Sequence, residues 1–107
     1  MNILDKIVAQ KKIEIEQAKK TISIKQLEQT EFFKRSIFSI TSKIVQENAT
    51  GIIAEFKRKS PSKGIINDTS KVLDVVKQYE NAGVSACSIL TDELFFGGNK
   101  QDVISVR

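Results

Sequence analysis

Ile53-Ala54-Glu55-Phe56-Lys57-Arg58-Lys59-Ser60-Pro61-Ser62-Lys63-Gly64 begins as a short apolar run and then carries four cations within seven positions. Side chains alternate along a strand, so Ile53, Glu55 and Lys57 share one face while Ile52, Ala54 and Phe56 share the other. Phe56 and its companions suit a surface covered by helices. The opposite face carries a carboxylate and an ammonium about 6–7 Å apart along the strand. Burying both is costly unless they pair with each other or with a ligand. Two readings stay open: a structural salt bridge, or a polar site at the C-terminal strand end, where parallel α/β folds hold their chemistry. In Ser60-Pro61-Ser62-Lys63-Gly64 the proline stiffens the loop, the hydroxyls can donate to an anion, and Gly64 permits a tight turn. Many surface turns share that composition.

The charge around this segment narrows its partners. The chain has 107 residues and a net charge of +4. Residues 1–50 contribute +3, residues 51–64 another +3, and residues 65–107 contribute −2. A short, dense positive site suits a small anion better than a nucleic-acid backbone, which favours charge spread along a face. There is no tryptophan for base stacking, and no nucleic-acid partner is expected. Histidine is also absent, which removes the commonest general base, the commonest metal ligand and any Ser-His or Cys-His pair within the chain. Proton chemistry here must use carboxylates and lysines. The single cysteine, Cys87, lies among small and apolar residues and is expected to be buried. One cysteine gives no internal disulfide framework, so a reducing, cytoplasmic location is expected. Neither a signal peptide nor a membrane-spanning run is evident.

Working outward, Met1 to Lys20 reads as an amphipathic helix with Ile3, Leu4, Ile7 and Val8 on one stripe. Ser23 and Gln26 have capping-box spacing and start a second, short helix. Phe32, Phe33, Ile37, Phe38, Ile40 and Ile44 are irregularly spaced and read as helical turns covering another surface. Gly51 to Phe56 is a strand. Asp68-Thr69-Ser70 offers helix-capping side chains ahead of Val72, Leu73, Val75, Val76 and Tyr79, and Gly83 marks the helix end. Val84 to Leu90 is a second strand. Phe95-Phe96-Gly97-Gly98 is a loop, either packing or forming an aromatic wall for a planar substrate, and Asn99 can cap a last helix. It lacks the glycine spacing of a dinucleotide fingerprint. The order β, α, β, α calls for a right-handed, parallel crossover. Two parallel strands cannot cover both faces alone.

Ile52 to Gly64, Tyr79-Glu80-Asn81-Ala82-Gly83, Ser88-Ile89-Leu90-Thr91-Asp92-Glu93 and Phe95-Phe96-Gly97-Gly98 together closely resemble the indole-3-glycerol phosphate synthase family, in order. The resemblance is weak before residue 50 and strong after it. It implies an α/β fold: the first part of a (β/α)8 TIM barrel, two βα units at residues 51–107, preceded by an N-terminal helical extension at residues 1–50 that covers the barrel. It implies cyclisation of 1-(2-carboxyphenylamino)-1-deoxyribulose 5-phosphate with loss of carbon dioxide and water, a step of tryptophan biosynthesis needing neither cofactor nor metal. By position, Glu55 and Lys57 match the family's catalytic strand pair, which should face an enclosed polar hollow. Ser60 and Pro61 match its substrate-binding loop, Phe96 the aromatic packing on the substrate ring, and Leu90 an inward residue beneath it. The small-molecule partner would be an anionic phosphorylated compound. The family's general-acid lysine, general-base glutamate and phosphate-gripping loops lie on later strands, so these 107 residues alone are expected to be inactive. A non-catalytic module that self-associates, or pairs with the rest of a barrel, is the alternative.

Overall fold

The computed structural model describes residues 1–107. They form two compact units, Met1–Phe38 and Ser39–Arg107.

In the first unit, α1 spans Ile3–Thr21 and α2 spans Ile24–Glu28. Both start with reciprocal caps that satisfy amides the helix itself leaves without partners. Asp5 N–H donates to Asn2 Oδ1 at 2.8 Å, and Asn2 N–H to Asp5 Oδ2 at 3.3 Å. At Ser23, the Gln26 side chain accepts from the backbone N–H at 2.7 Å while Ser23 Oγ accepts from Gln26 N–H, as the spacing predicts. No residue of α1 is buried, and Ile3, Leu4 and Val8 of its apolar stripe are exposed. Ile15, Ala18 and Ile22 meet Ile24 and Leu27 around a shallow apolar groove. Phe32, Phe33, Ile37 and Phe38 are exposed. Residues 31–34 form a turn and Arg35 a bend, in keeping with the short turns expected there.

In the second unit α3 spans Ile40–Val45, with Ser39 Oγ accepting from Ser42 N–H. The strand β1 is Ile53–Phe56, and a two-residue-armed hairpin follows, β2 at Lys59–Ser60 and β3 at Gly64–Ile65. Gly64 adopts φ +66°, a conformation that a side chain makes costly, which is why glycine closes this hairpin. Helix α4 is Val72–Asn81, β4 is Ala86–Ile89 and α5 is Lys100–Val106. Strands β1 and β4 pair in parallel, Ile53 opposite Ala86 and Glu55 opposite Ser88, with α4 in the connection. This is a mixed α/β arrangement consistent with part of a TIM barrel.

The pairing phase decides which way each strand's backbone points. Ile52 C=O accepts from Ser85 N–H at 2.8 Å, and Phe56 C=O from Leu90 N–H at 3.2 Å. In a parallel ladder the alternate residues, Ile53 and Glu55, then point their backbone groups away from β4. Glu55 C=O accepts from the Tyr79 hydroxyl of α4 at 3.4 Å. The sheet has two strands, so each has one edge without a neighbour. Phe56 and Val72 are the buried apolar side chains, and α4 packs against β1 and α5.

Two sequence expectations need correction here. Asp68-Thr69-Ser70 does not cap α4. The N-cap is Lys71, without a side-chain cap bond, because the amides of Thr69 and Ser70 turn back onto Asn67 Oδ1 at 3.0 and 3.1 Å. A short amide side chain can hold a turn of its own in this way. Cys87 is exposed, on a strand whose outer edge has no neighbour. Partial burial, then Glu80, raises its thiol pKa. No helix is long and apolar enough to cross a membrane.

Candidate active site at the end of the parallel pair

Strand alternation brings Glu55 and Lys57 to the same side of β1, with Lys57 Nζ 3.8 Å from Glu55 Oε1. Ser88, directly opposite on β4, donates its hydroxyl to Glu55 Oε2 at 3.1 Å. The carboxylate is therefore held from two directions, by a cation just past the end of its own strand and a hydroxyl across the ladder. The side chains of Lys57 and Glu55 are 38% and 44% exposed. The expected enclosed hollow is instead an open cleft of about 260 Å³, lined by Glu55, Phe56, Lys57, Ile66, Asn67 and Tyr79 among others. Two strands provide wall on one side only, so the pair keeps much of its contact with water.

The two loops beyond the strand ends are built by short-range bonds. Ser60 is buried, its Oγ accepting from Lys63 N–H at 3.2 Å and lying 3.4 Å from Ser62 Oγ. Pro61 is exposed at the hairpin tip. In the second loop, Asp92 Oδ2 accepts from both Phe95 N–H at 2.7 Å and Phe96 N–H at 3.1 Å. A Cβ on Gly98 would stand 1.8 Å from Leu90 C=O oxygen, so only glycine lets the loop pass the strand this closely. Continued alternation from Ser88 sets Leu90 on the Glu55 side of the sheet. Phe96 is half-buried, and its C=O accepts from Lys59 N–H at 3.3 Å.

Of the residues singled out from sequence, Glu55 and Lys57 line the cleft. The loops that carry Ser60 and Phe96 are linked through Lys59, the chain neighbour of Ser60, whose N–H donates to Phe96 C=O. Ser60, Pro61, Leu90 and Phe96 all lie outside the cleft lining.

Sequence reading missed the strongest polar contact. Arg58 grips Asp102 with both guanidinium arms, at 2.5 and 2.7 Å, and gives a further N–H to Gly97 C=O at 3.2 Å. Its guanidinium also stands over the Phe56 ring, 5.1 Å from the centroid. The side chains are 22% and 7% exposed. The hydrogen bond to Arg58 holds the Asp102 carboxyl below the ordinary aspartate range, against the opposing effect of burial, and the same bond raises Arg58. One signal was available. Asn99 and Asp102 have capping-box spacing, and the box forms, but nothing in it names Arg58 as a partner 44 positions away. Ser88 and Tyr79 were likewise hidden, because their contacts with Glu55 depend on register and crossover geometry. No group of three or more His, Cys, Asp or Glu side chains is assembled that could hold a metal ion.

A family model described as indole-3-glycerol phosphate synthase matches residues 4–107. Curated proteins named indole-3-glycerol phosphate synthase are similar over nearly the whole chain. The one from Bacteroides thetaiotaomicron is 42% identical over 113 residues, covering 99% of this chain and 40% of that protein. Those from Campylobacter fetus and Ruminiclostridium cellulolyticum are 37% and 38% identical, each covering 98% of this chain and 41% of the relative. The chain thus spans about two fifths of the length of these relatives. With the match running from residue 4 to residue 107, the chain belongs to the indole-3-glycerol phosphate synthase family.

Proposed function

We propose that this chain is the N-terminal portion of an indole-3-glycerol phosphate synthase, residues 1–50 forming a helical extension and residues 51–107 the first two βα units of a (β/α)8 barrel. The completed barrel would close the ring of 1-(2-carboxyphenylamino)-1-deoxyribulose 5-phosphate. A carbon–carbon bond forms between the aromatic ring and the ketose carbon, carbon dioxide leaves from the carboxylated position, and water leaves as the indole is formed. The observation that carries this reading is the Glu55–Lys57 pair at the end of a parallel strand, 3.8 Å apart and beside an open cleft.

In that reaction the ketose oxygen must take up a proton and a cationic intermediate must be tolerated. Lys57 supplies an ammonium for the substrate's anionic groups and developing oxyanion. Glu55, steadied by Ser88, keeps that ammonium aimed and tolerates the transient positive charge. Ser60 and Pro61 shape the loop against the substrate, while Phe96 and Leu90 offer apolar surface to its ring. Coverage by further strands would lower the local dielectric and strengthen each of these interactions. The 107 residues alone provide the pair without that coverage, so no appreciable turnover is expected of them.

The test is a fusion of this chain to the remaining three fifths of the Bacteroides thetaiotaomicron relative, assayed for indole-3-glycerol phosphate. Glu55→Gln and Lys57→Ala should each lower kcat by about 100-fold or more with folding retained. Parent-like rates in both variants would remove the pair from the chemistry.

A second reading, a non-catalytic module that associates with itself, is favoured by the neighbourless edges of β1 and β4. A homo-oligomer that persists when the complementary segment is added supports it. A one-to-one complex with that segment supports the barrel.

A further inference from the structure

Of the four cations in the run from Lys57 to Lys63, Arg58 is the one whose charge is turned inward. Its backbone and side chain reach three separate parts of the unit. The Arg58 C=O accepts from Ile66 N–H at 2.8 Å and from Asn67 N–H at 3.1 Å, both residues of the cleft wall. Its guanidinium holds Gly97 C=O in the second loop and the Asp102 carboxylate in the first turn of α5. Asp102 in turn accepts from Asn99 N–H, so the clasp continues into the cap of the helix. Beside it, Lys59 N–H donates to Phe96 C=O. A Cβ on Gly97 would meet Lys59 Cγ at 3.3 Å, so the two loops are already in close approach.

We propose that the Arg58–Asp102 clasp is the positioning device of the candidate active site, fixing the loop that carries Ser60 against the loop that carries Phe96. Arg58 is a positioning residue and takes no part in receiving the anionic substrate, which is left to Lys57, Lys59 and Lys63. The choice of arginine follows from the geometry: a planar fork can hold a carboxylate with two parallel bonds, spare an N–H for a carbonyl, and stack on a ring. Lysine at this position keeps the charge and loses all three.

This inference rests on the family reading for what the loops bind, yet its test needs no turnover. Amide hydrogen exchange is followed by NMR in the 107-residue chain, in its Arg58→Lys variant and in its Asp102→Asn variant, which can still accept at the helix cap. A clasp that registers the loops predicts that Lys59 N–H exchanges about ten-fold faster or more in both variants. The amides of Phe95 and Phe96, held by Asp92, and the β1–β4 ladder keep their protection. Unchanged Lys59 exchange, or an equal loss of protection at every amide, overturns the proposal, because the ion pair would then be idle or a global anchor. If Arg58→Lys does not fold, Asp102→Asn decides alone; failure of both to fold also marks a global anchor and overturns it. An inactive fusion protein with intact, clasp-dependent Lys59 protection would instead count against the catalytic reading only.

Discussion

Asp102 shows how a residue can be placed by one bond and tuned by the same bond. Because its folded pKa is lowered by Arg58, the unfolded chain binds the proton more tightly. The group therefore adds stability above its unfolded value, near pH 4, and that contribution fades as pH falls through the lower folded value. Denaturation midpoints measured between pH 7 and pH 2 should fall more steeply in the parent chain than in Asp102→Asn; parallel curves would exclude the clasp as a source of acid sensitivity. Gly98 is a second case. A methyl group there meets the Leu90 carbonyl oxygen, part of the backbone, so Gly98→Ala should destabilise by about 1–3 kcal/mol, read as a lower thermal midpoint. An unchanged midpoint would mean that the loop can move aside.

The elements were legible where a local pattern sufficed. Ser23 and Gln26 form the cap their spacing announces, Asn99 caps α5, and the apolar runs before Phe56 and around Ala86 are the parallel strands. The register that sets Ser88 against Glu55 was not legible, because a two-residue period fixes faces but not partners. The start of α4 was misread for a different reason: three cap-competent side chains precede it, and Asn67 took the amides first. That leaves a helix whose N-cap, Lys71, makes no side-chain cap bond although its backbone is extended, as a cap requires. Lys71→Ser should therefore stabilise the chain by about 0.5–1 kcal/mol, measurable as a raised thermal midpoint. A neutral or negative result would show that the Asn67 turn already constrains the helix start.

At the scale of the molecule, the candidate site consists of one wall and two loops. Glu55 stands on β1 with Lys57 just past its end, Ser88 on β4 with Leu90 just past its end, and Phe96 on the loop beyond, yet the Glu55–Lys57 pair remains nearly half open to water. Ile52, Ile53, Ile66 and Ile104 are exposed around a sheet whose two outer edges carry no partner. Such surface favours association with complementary strands. That is the physical counterpart of a chain matching two fifths of its relatives' length. The isolated chain should show concentration-dependent association by light scattering, replaced by a one-to-one complex when the complementary segment is present. The most direct measurement is formation of indole-3-glycerol phosphate when this chain is titrated into the separately produced remainder of the Bacteroides thetaiotaomicron relative. We expect turnover that is absent from either component, saturates at equal stoichiometry and is lost with Lys57→Ala. A folded one-to-one complex that never turns over, or one that turns over equally well without the Lys57 ammonium, would contradict this.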